Sequence, residues 1–361
     1  MKLCFFIDDI THTGGIERVT SNLVSQFSKD RKDITIEIVS QFKSSDKLWY
    51  PFENCTMTYL SNKNYDAKPH SLERLSKMFS NVFAVRRHFK KNKYDLIIGQ
   101  SFPNVFILFL AGVDMSRVVA AEHVYYDYYG SFLKKLRLYV YRRCHKIAVL
   151  TSLDKACYDN HFLSDHTVLI PNPVIVPQYT YSPLVNKKAI AMGRIQYQKG
   201  FDTLVDVFEI VHKKHPDWVV NIYGDGNYKD QIEQYIKDRS MEGVVVLKGR
   251  TDDVPSVMSE ASFFILSSRF EGFGMVLAEA MAQGLPAVSF DCPTGPSDIV
   301  KTNVNGILVE NQNKEALADA ISYMIEHPDE RKEMGKRAVD TVKEFSGESI
   351  ARKWYELFDK F

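Results

Sequence analysis

The sequence predicts an α/β protein of two Rossmann-like doubly wound domains facing each other across a cleft. Three features carry that expectation. Short apolar runs alternate with amphipathic segments of helical length, the pattern of parallel strands covered on both faces by helices. The alternation runs through twice, and 361 residues are too many for one ordinary domain and enough for two. Between the two series lies IPNPVIVPQYTYSPL, whose prolines 171, 173, 177 and 183 forbid helix and favour extended backbone.

In the first series strands are expected near 2–8, 34–40, 95–99, 117–121 and 146–150. Helices are expected near 16–28, 71–92, 103–112, 131–144 and 152–162. The second series opens at KKAIAMGR, with strands near 188–193, 218–223, 244–247, 262–266, 286–290 and 306–309 and helices near 201–214, 228–239, 253–260, 274–283 and 313–326. Two closing helices follow, near 328–345 and 347–361. The expected division is a first domain over 1–170, a linker over 171–187 and a second domain over 188–346, with the last helix packing back on the first domain. Ligands of open α/β sheets bind at the carboxyl ends of the strands. The expected site is therefore a cleft lined by the turns that follow them.

A content of 45% hydrophobic and 25% charged residues is that of a globular protein and excludes a disordered chain. Five cysteines, an odd number without a CxxC pair, argue against a disulfide framework and a structural zinc site and fit a reducing compartment. The apolar run in MKLCFFIDDI is too short for a signal peptide or a bilayer span. The net charge of +1 hides an asymmetry, about +7 before residue 180 and about −6 after it, which points to different partners for the two halves.

The string from Glu271 to Glu279, EGFGMVLAE, lies between an expected strand and an expected helix. Gly272 and Gly274 permit a sharp turn close to a ligand, and the first helical turn, at Met275 and Val276 after Phe273 and Gly274, presents unpaired N–H groups to an anion. Its two acids are offset along the axis and suit different parts of one ligand. GRIQYQKG, from Gly193 to Gly200, follows the first strand of the second domain. Arg194 offers a fork of donors and Lys199 a point charge, an arrangement suited to a diphosphate without metal. The simpler readings are a helix-capping Glu271, a solvated Glu279 and solvated bases.

Gly14 and Gly15 mark a tight turn between strand and helix but lack the GxGxxG spacing, so no nicotinamide site is read. His123 follows a strand at its carboxyl end, and Gly224 and Arg250 stand in similar turns. Taken alone, these three read as packing and turn residues. CPTGPSD, from Cys292 to Asp298, is a rigid turn with Ser297 as a possible cap.

GGIERV, AEHV, IPNPV, GRIQYQKG, IYGDG and EGFGMVLAE together resemble glycosyltransferase family 4 of the GT-B fold over nearly the whole chain. The CPTGP turn is similar to that of bacterial surface-glycan transferases using galactose or N-acetylgalactosamine donors. The resemblance implies a retaining glycosyltransferase taking a hexose or N-acetylhexosamine from a nucleotide-diphosphate sugar, UDP-linked, to a glycan acceptor; with no Asp-x-Asp string at a strand end, it is expected to be metal-independent. It implies that Arg194 and Lys199 hold the donor diphosphate, that Glu271 and His123 face the sugar, and that Glu279 binds the ribose. Gly14, Gly15, Gly193, Gly224, Arg250, Phe273, Gly274, Met275 and Val276 then line the donor, the nucleotide sugar being a substrate and no cofactor being needed. A catalytically silent nucleotide-binding subunit and a sugar-nucleotide epimerase are the rival readings.

Residues 74–93, RLSKMFSNVFAVRRHFKKNK, carry seven basic and no acidic side chains among Leu75, Met78, Phe79, Val82, Phe83, Val85 and Phe89. Six more bases lie in 134–146. This is the composition of an interfacial helix, so docking on an anionic membrane surface is expected, at the cytoplasmic face, with a lipid-linked glycan as acceptor. Nucleic acid is not, since no recognition motif is present.

Overall fold

The computed structural model describes residues 1–64, 76–77, 79–163, 165–175 and 181–360. The chain divides into two compact units, Met1–Pro173 with Gly347–Phe361, and Val174–Ser346. Each is a parallel sheet between helices.

The first unit holds β1 (Lys2–Ile7), β2 (Thr35–Ser40), β3 (Cys55–Tyr59), β4 (Leu96–Gln100), β5 (Val118–Ala121), β6 (Lys146–Val149) and β7 (Thr167–Leu169), in the spatial order β3-β2-β1-β4-β5-β6-β7. Its helices are α1 (Gly15–Asp30), α2 (Val82–Lys91), α3 (Ser101–Leu110), α4 (Ser131–Tyr141) and α5 (Ser152–Asp159). Central strands are buried on both faces, which is why KLCFFI and LIIGQ read as continuous apolar runs rather than alternating ones. The sequence reading missed β3 and β7. Both are edge strands, short and only partly buried, so neither needs the apolar run that betrays a central strand.

The second unit holds β8 (Lys188–Met192), β9 (Val219–Tyr223), β10 (Val245–Gly249), β11 (Phe263–Leu266), β12 (Ala287–Asp291) and β13 (Gly306–Glu310), ordered β10-β9-β8-β11-β12-β13. The helices are α6 (Phe201–Lys214), α7 (Lys229–Asp238), α8 (Val254–Ser259), α9 (Met275–Ala282), α10 (Pro296–Ile299), α11 (Lys314–Glu326) and α12 (Pro328–Val342). The order in which successive strands are added reverses at β1/β4 in the first unit and at β8/β11 in the second. Such switch points open a crevice at the strands' carboxyl ends.

The last helix, α13 (Gly347–Phe358), belongs to the first unit. Tyr355 and Phe358 pack on Phe27 of α1 at 5.5 and 5.4 Å between ring centroids, and the Tyr355 hydroxyl donates to Asp30 Oδ2 at 3.1 Å.

The basic segment at 74–93 departs from the interfacial helix expected of it. Arg74, Leu75 and Met78, with the rest of 65–75, lie outside the described residues, as do 176–180 of the expected linker. Within the helix, Val85 and Phe89 are buried and Val82 packs against the same core, leaving Phe79 and Phe83 exposed. One apolar face is thus consumed by the fold, the usual fate of an amphipathic helix on a sheet. The second basic run is partly neutralised: Lys134 pairs with Asp127, Lys146 with Asp165, and Arg137 is fully buried against Glu122. No helix among the described residues is long and apolar enough to cross a membrane.

Candidate active site

A polar assembly at a switch point lies in the second unit, where the turns after β8 and β11 meet. Backbone bonds stitch the first of these turns into the loop after β9: Gly193 N donates to Tyr223 O at 3.0 Å and Ile195 N to Asp225 O at 2.9 Å. A Cβ on Gly224 would fall 1.9 Å from Gly193 O. Gly224 therefore has a packing reason for being glycine, whatever it lines.

The segment 197–200 is docked onto the end of β11. Arg269 N donates to Gln198 O at 2.8 Å, Gln198 Nε2 to Phe270 O at 3.0 Å and Ser267 Oγ to Lys199 O at 2.9 Å. The Arg269 guanidinium bonds Asp202 through two nitrogens, at 3.0 and 2.7 Å, and lies 4.1 Å from the centre of the Tyr197 ring. These ties deliver Lys199 Nζ to 2.7 Å from Glu271 Oε1, which also accepts the Ser268 hydroxyl at 2.6 Å. The carboxylate is nearly buried, its side chain 7% exposed against 15% for Lys199. Glu271 Oε2 makes no hydrogen bond among the described residues. That oxygen keeps its full capacity to accept hydrogen bonds.

Glu271 does not cap the following helix. That place is taken by Gly274, whose φ of 92° is reserved in practice for glycine. The 292–295 turn braces the loop: Glu271 N donates to Pro293 O at 3.2 Å, and the Thr294 hydroxyl donates to Glu271 O. Ser297 is not the cap of α10 either; Gly295 precedes that short helix, and Ser297 lies within it. Met275 and Val276, half-buried, form the first turn of α9, whose leading N–H groups have no partner within the helix. Phe273 is buried and turns its ring inward against Phe345, 5.4 Å away, which leaves its backbone to face a ligand. Glu279 is half-buried inside α9. Arg194 is exposed beside the Lys199–Glu271 pair's loop, and Arg250 is exposed with its Nε 3.4 Å from Asp225 Oδ2. Lys199 and Glu271 are thus brought into contact, whereas Arg194 reaches into solvent.

In the first unit the equivalent edge carries Gly14, Gly15 and His123. Gly14 precedes α1, and Glu17 in the first turn folds back over it: a Cβ on Gly14 would lie 2.1 Å from Glu17 Oε2. This is half of a capping box. Burial pushes the Glu17 carboxyl up to about 7. His123 Nε2 lies 2.5 Å from Oε1 of Gln100, the last residue of β4, and burial drives its pKa down to about 4. The imidazole is therefore neutral near pH 7. His123 also borders a small cavity with Val19, Leu23, Leu150, Pro173 and Trp354. Ser101, next to Gln100, has φ 68°, an uncommon conformation for serine.

Glu122 holds the His123 turn in place. It accepts Arg137 Nη1 at 2.8 Å, the Tyr141 hydroxyl at 2.5 Å and the Tyr158 hydroxyl at 3.1 Å, and all four side chains are buried. The sequence reading did not single out Glu17, Glu122, Ser268 or Arg269. Glu17 had a signal, since a glutamate three residues after a helix-opening glycine fits the capping pattern. The others act through contacts between segments distant in sequence.

The model for Glycosyltransferase Family 4 matches residues 13–176, and that for Glycosyl transferases group 1 matches 182–341. Among relatives, the amylovoran biosynthesis glycosyltransferase AmsD of Erwinia amylovora is 28% identical over 99% of both chains. A Campylobacter jejuni alpha-1,4-N-acetyl-D-galactosaminyltransferase, named for a diNAcBac-PP-undecaprenol-linked acceptor, is 24% identical over 99% of this chain and 98% of its own. Among solved structures, TarM of S. aureus, in complex with fondaparinux, alpha-GlcNAc-glycerol and UDP, superposes with a TM-score of 0.78 at 19% identity, covering 99% of this chain and 100% of its own. With two parallel-sheet units, a model match on each and relatives aligned end to end, the chain is a family 4-like glycosyltransferase of the GT-B fold.

Proposed function

We propose that the enzyme transfers a hexose or N-acetylhexosamine from a UDP-sugar to a lipid-linked glycan in bacterial surface polysaccharide synthesis, with retention of configuration and without metal. The second unit, 188–346 in its core, takes the donor and the first unit the acceptor. The observation that carries this reading is the Lys199–Glu271 pair, 2.7 Å apart at the β8/β11 switch point. In this reading Arg194 and Lys199 hold the diphosphate and, with the first turn of α9, stabilise the charge that grows on it as the glycosidic bond breaks. Glu271 Oε2 accepts a sugar hydroxyl, Glu279 binds the ribose, and Gly193, Gly224 and Arg250 border the nucleotide. Neutral His123, with Gly14 and Gly15, serves the sugar as a hydrogen-bonding partner rather than as a general base. The acceptor hydroxyl attacks the anomeric carbon from the face that the diphosphate leaves.

Two names among the similar proteins support the substrates: an undecaprenol-linked acceptor and a bound UDP. The test is a thermal-shift screen against UDP- and other nucleotide-linked sugars, followed by product analysis with and without lipid-linked glycan. Transfer with retained anomeric configuration and with chelator present is expected. Donor left intact points to a silent subunit, and release of an altered sugar without acceptor points to an epimerase.

The first unit is also proposed to dock on an anionic membrane at the cytoplasmic face. The support is narrower than the sequence suggested, and it is a surface rather than a helix. Ring contacts run from Phe79 to Phe106, Phe109 and Tyr139, with the Arg143 guanidinium 3.9 Å from the Tyr139 ring centre. Exposed Phe83, Arg86, Arg87 and Lys90 stand on α2. Cosedimentation with vesicles should rise with anionic lipid and fall with salt. A protein that stays in the supernatant at low salt refutes the docking.

A further inference from the structure

Trp49 stands apart from the other tryptophans. Of the three, Trp218 and Trp354 are 6% and 4% exposed, whereas Trp49 is 50% exposed. It lies in the loop that leaves the carboxyl end of β2, the edge of the sheet that also carries Gly14, Gly15, Gln100 and His123. The loop is tied down. Ser44 N donates to Asp9 Oδ2 at 2.8 Å and Ser45 N to Thr11 Oγ1 at 3.1 Å, while the Ser21 hydroxyl donates to Pro51 O. Asp9 is fully buried, and its other oxygen accepts Thr11 N at 2.9 Å and the Thr11 hydroxyl at 2.6 Å. One buried carboxylate thus couples the Trp49 loop to the loop that leads into Gly14 and Gly15. Lys47 Nζ sits 3.8 Å from the centre of the Trp49 ring.

We infer that the face of Trp49 turned away from Lys47 is a stacking platform for a pyranose of the acceptor glycan; this rests on the proposed glycan-acceptor reading. An electron-rich indole face attracts the polarised C–H groups of a sugar ring and buries a large area at small entropic cost. A loop already fixed by three ties loses little further freedom on binding. Membrane insertion fits this tryptophan less well, because Asp46 and Glu53 flank it while the aromatic and basic face lies on α2, α3 and α4.

The experiment uses the full chain. Iodide quenching of tryptophan emission is measured with methyl glycosides and with di- and trisaccharides of galactose, N-acetylgalactosamine and N-acetylglucosamine, and separately with phosphatidylglycerol vesicles. At least one sugar should shield Trp49. Trp49→Ala should weaken calorimetric binding of that sugar by about threefold to tenfold, with partial recovery in Trp49→Phe. Shielding by none of the sugars, or by vesicles alone, overturns the inference. Hydrolysis of UDP-sugar by the same preparation reports on the transferase reading separately: hydrolysis without sugar shielding sinks this inference alone.

Discussion

Arg194 and Lys199 share one proposed task and differ in surroundings, so replacing each by alanine separates catalysis from folding. Arg194 is exposed; its loss should leave stability within about 0.5 kcal/mol. Lys199 is the partner of a nearly buried carboxylate at 2.7 Å. Removing one member of a buried pair costs roughly 3–5 kcal/mol. Because 15% of the Lys199 side chain reaches solvent and water can enter its place, about 2–4 kcal/mol is the working figure. For a unit of this size that is a fall in Tm of roughly 5–15 °C. Turnover should drop about 10²–10³-fold in both variants, the usual cost of one oriented electrostatic donor. Urea denaturation and initial rates of UDP release measure the two quantities. Near-normal turnover in Arg194→Ala refutes the diphosphate assignment. Unchanged stability in Lys199→Ala shows instead that the pair with Glu271 contributes nothing to the free protein.

Glu271→Ala should abolish transfer while UDP still binds, whereas Glu279→Ala should weaken UDP itself; equal losses by calorimetry contradict the sugar and ribose assignments. Burial raises the Glu17 carboxyl from 4.5 to about 7, so its protonated form stabilises the fold fully below about pH 4.5 and that contribution is lost as pH rises through 7. Glu17→Gln should remove this slope and be the more stable protein at pH 8, by an amount on the order of 3 kcal/mol; parallel stability profiles from pH 4 to 8 tell against it. Glu122→Gln strands the buried Arg137 guanidinium and should cost roughly 3–5 kcal/mol in urea melts, a loss within 0.5 kcal/mol counting against the network described.

Sequence alone determined the two-domain α/β architecture, because strands buried on both faces must be continuously apolar and the covering helices must be amphipathic. It also located the turns after β1, β5, β8 and β11, since glycines and charged residues between a strand and a helix have few other uses. Edge strands β3 and β7 escaped notice for the converse reason: half-buried, they need no apolar run. Tertiary structure decided what the motif residues touch. Lys199 and Glu271 are 72 residues apart, and nothing in either string declares that one neutralises the other. Arg137 looked like part of a basic surface and is the buried partner of Glu122; Val85 and Phe89 looked like membrane anchors and belong to the core. Local pattern records which residues can be buried. Only the packing of distant segments sets which charge is desolvated beside which, and that determines what a site can do.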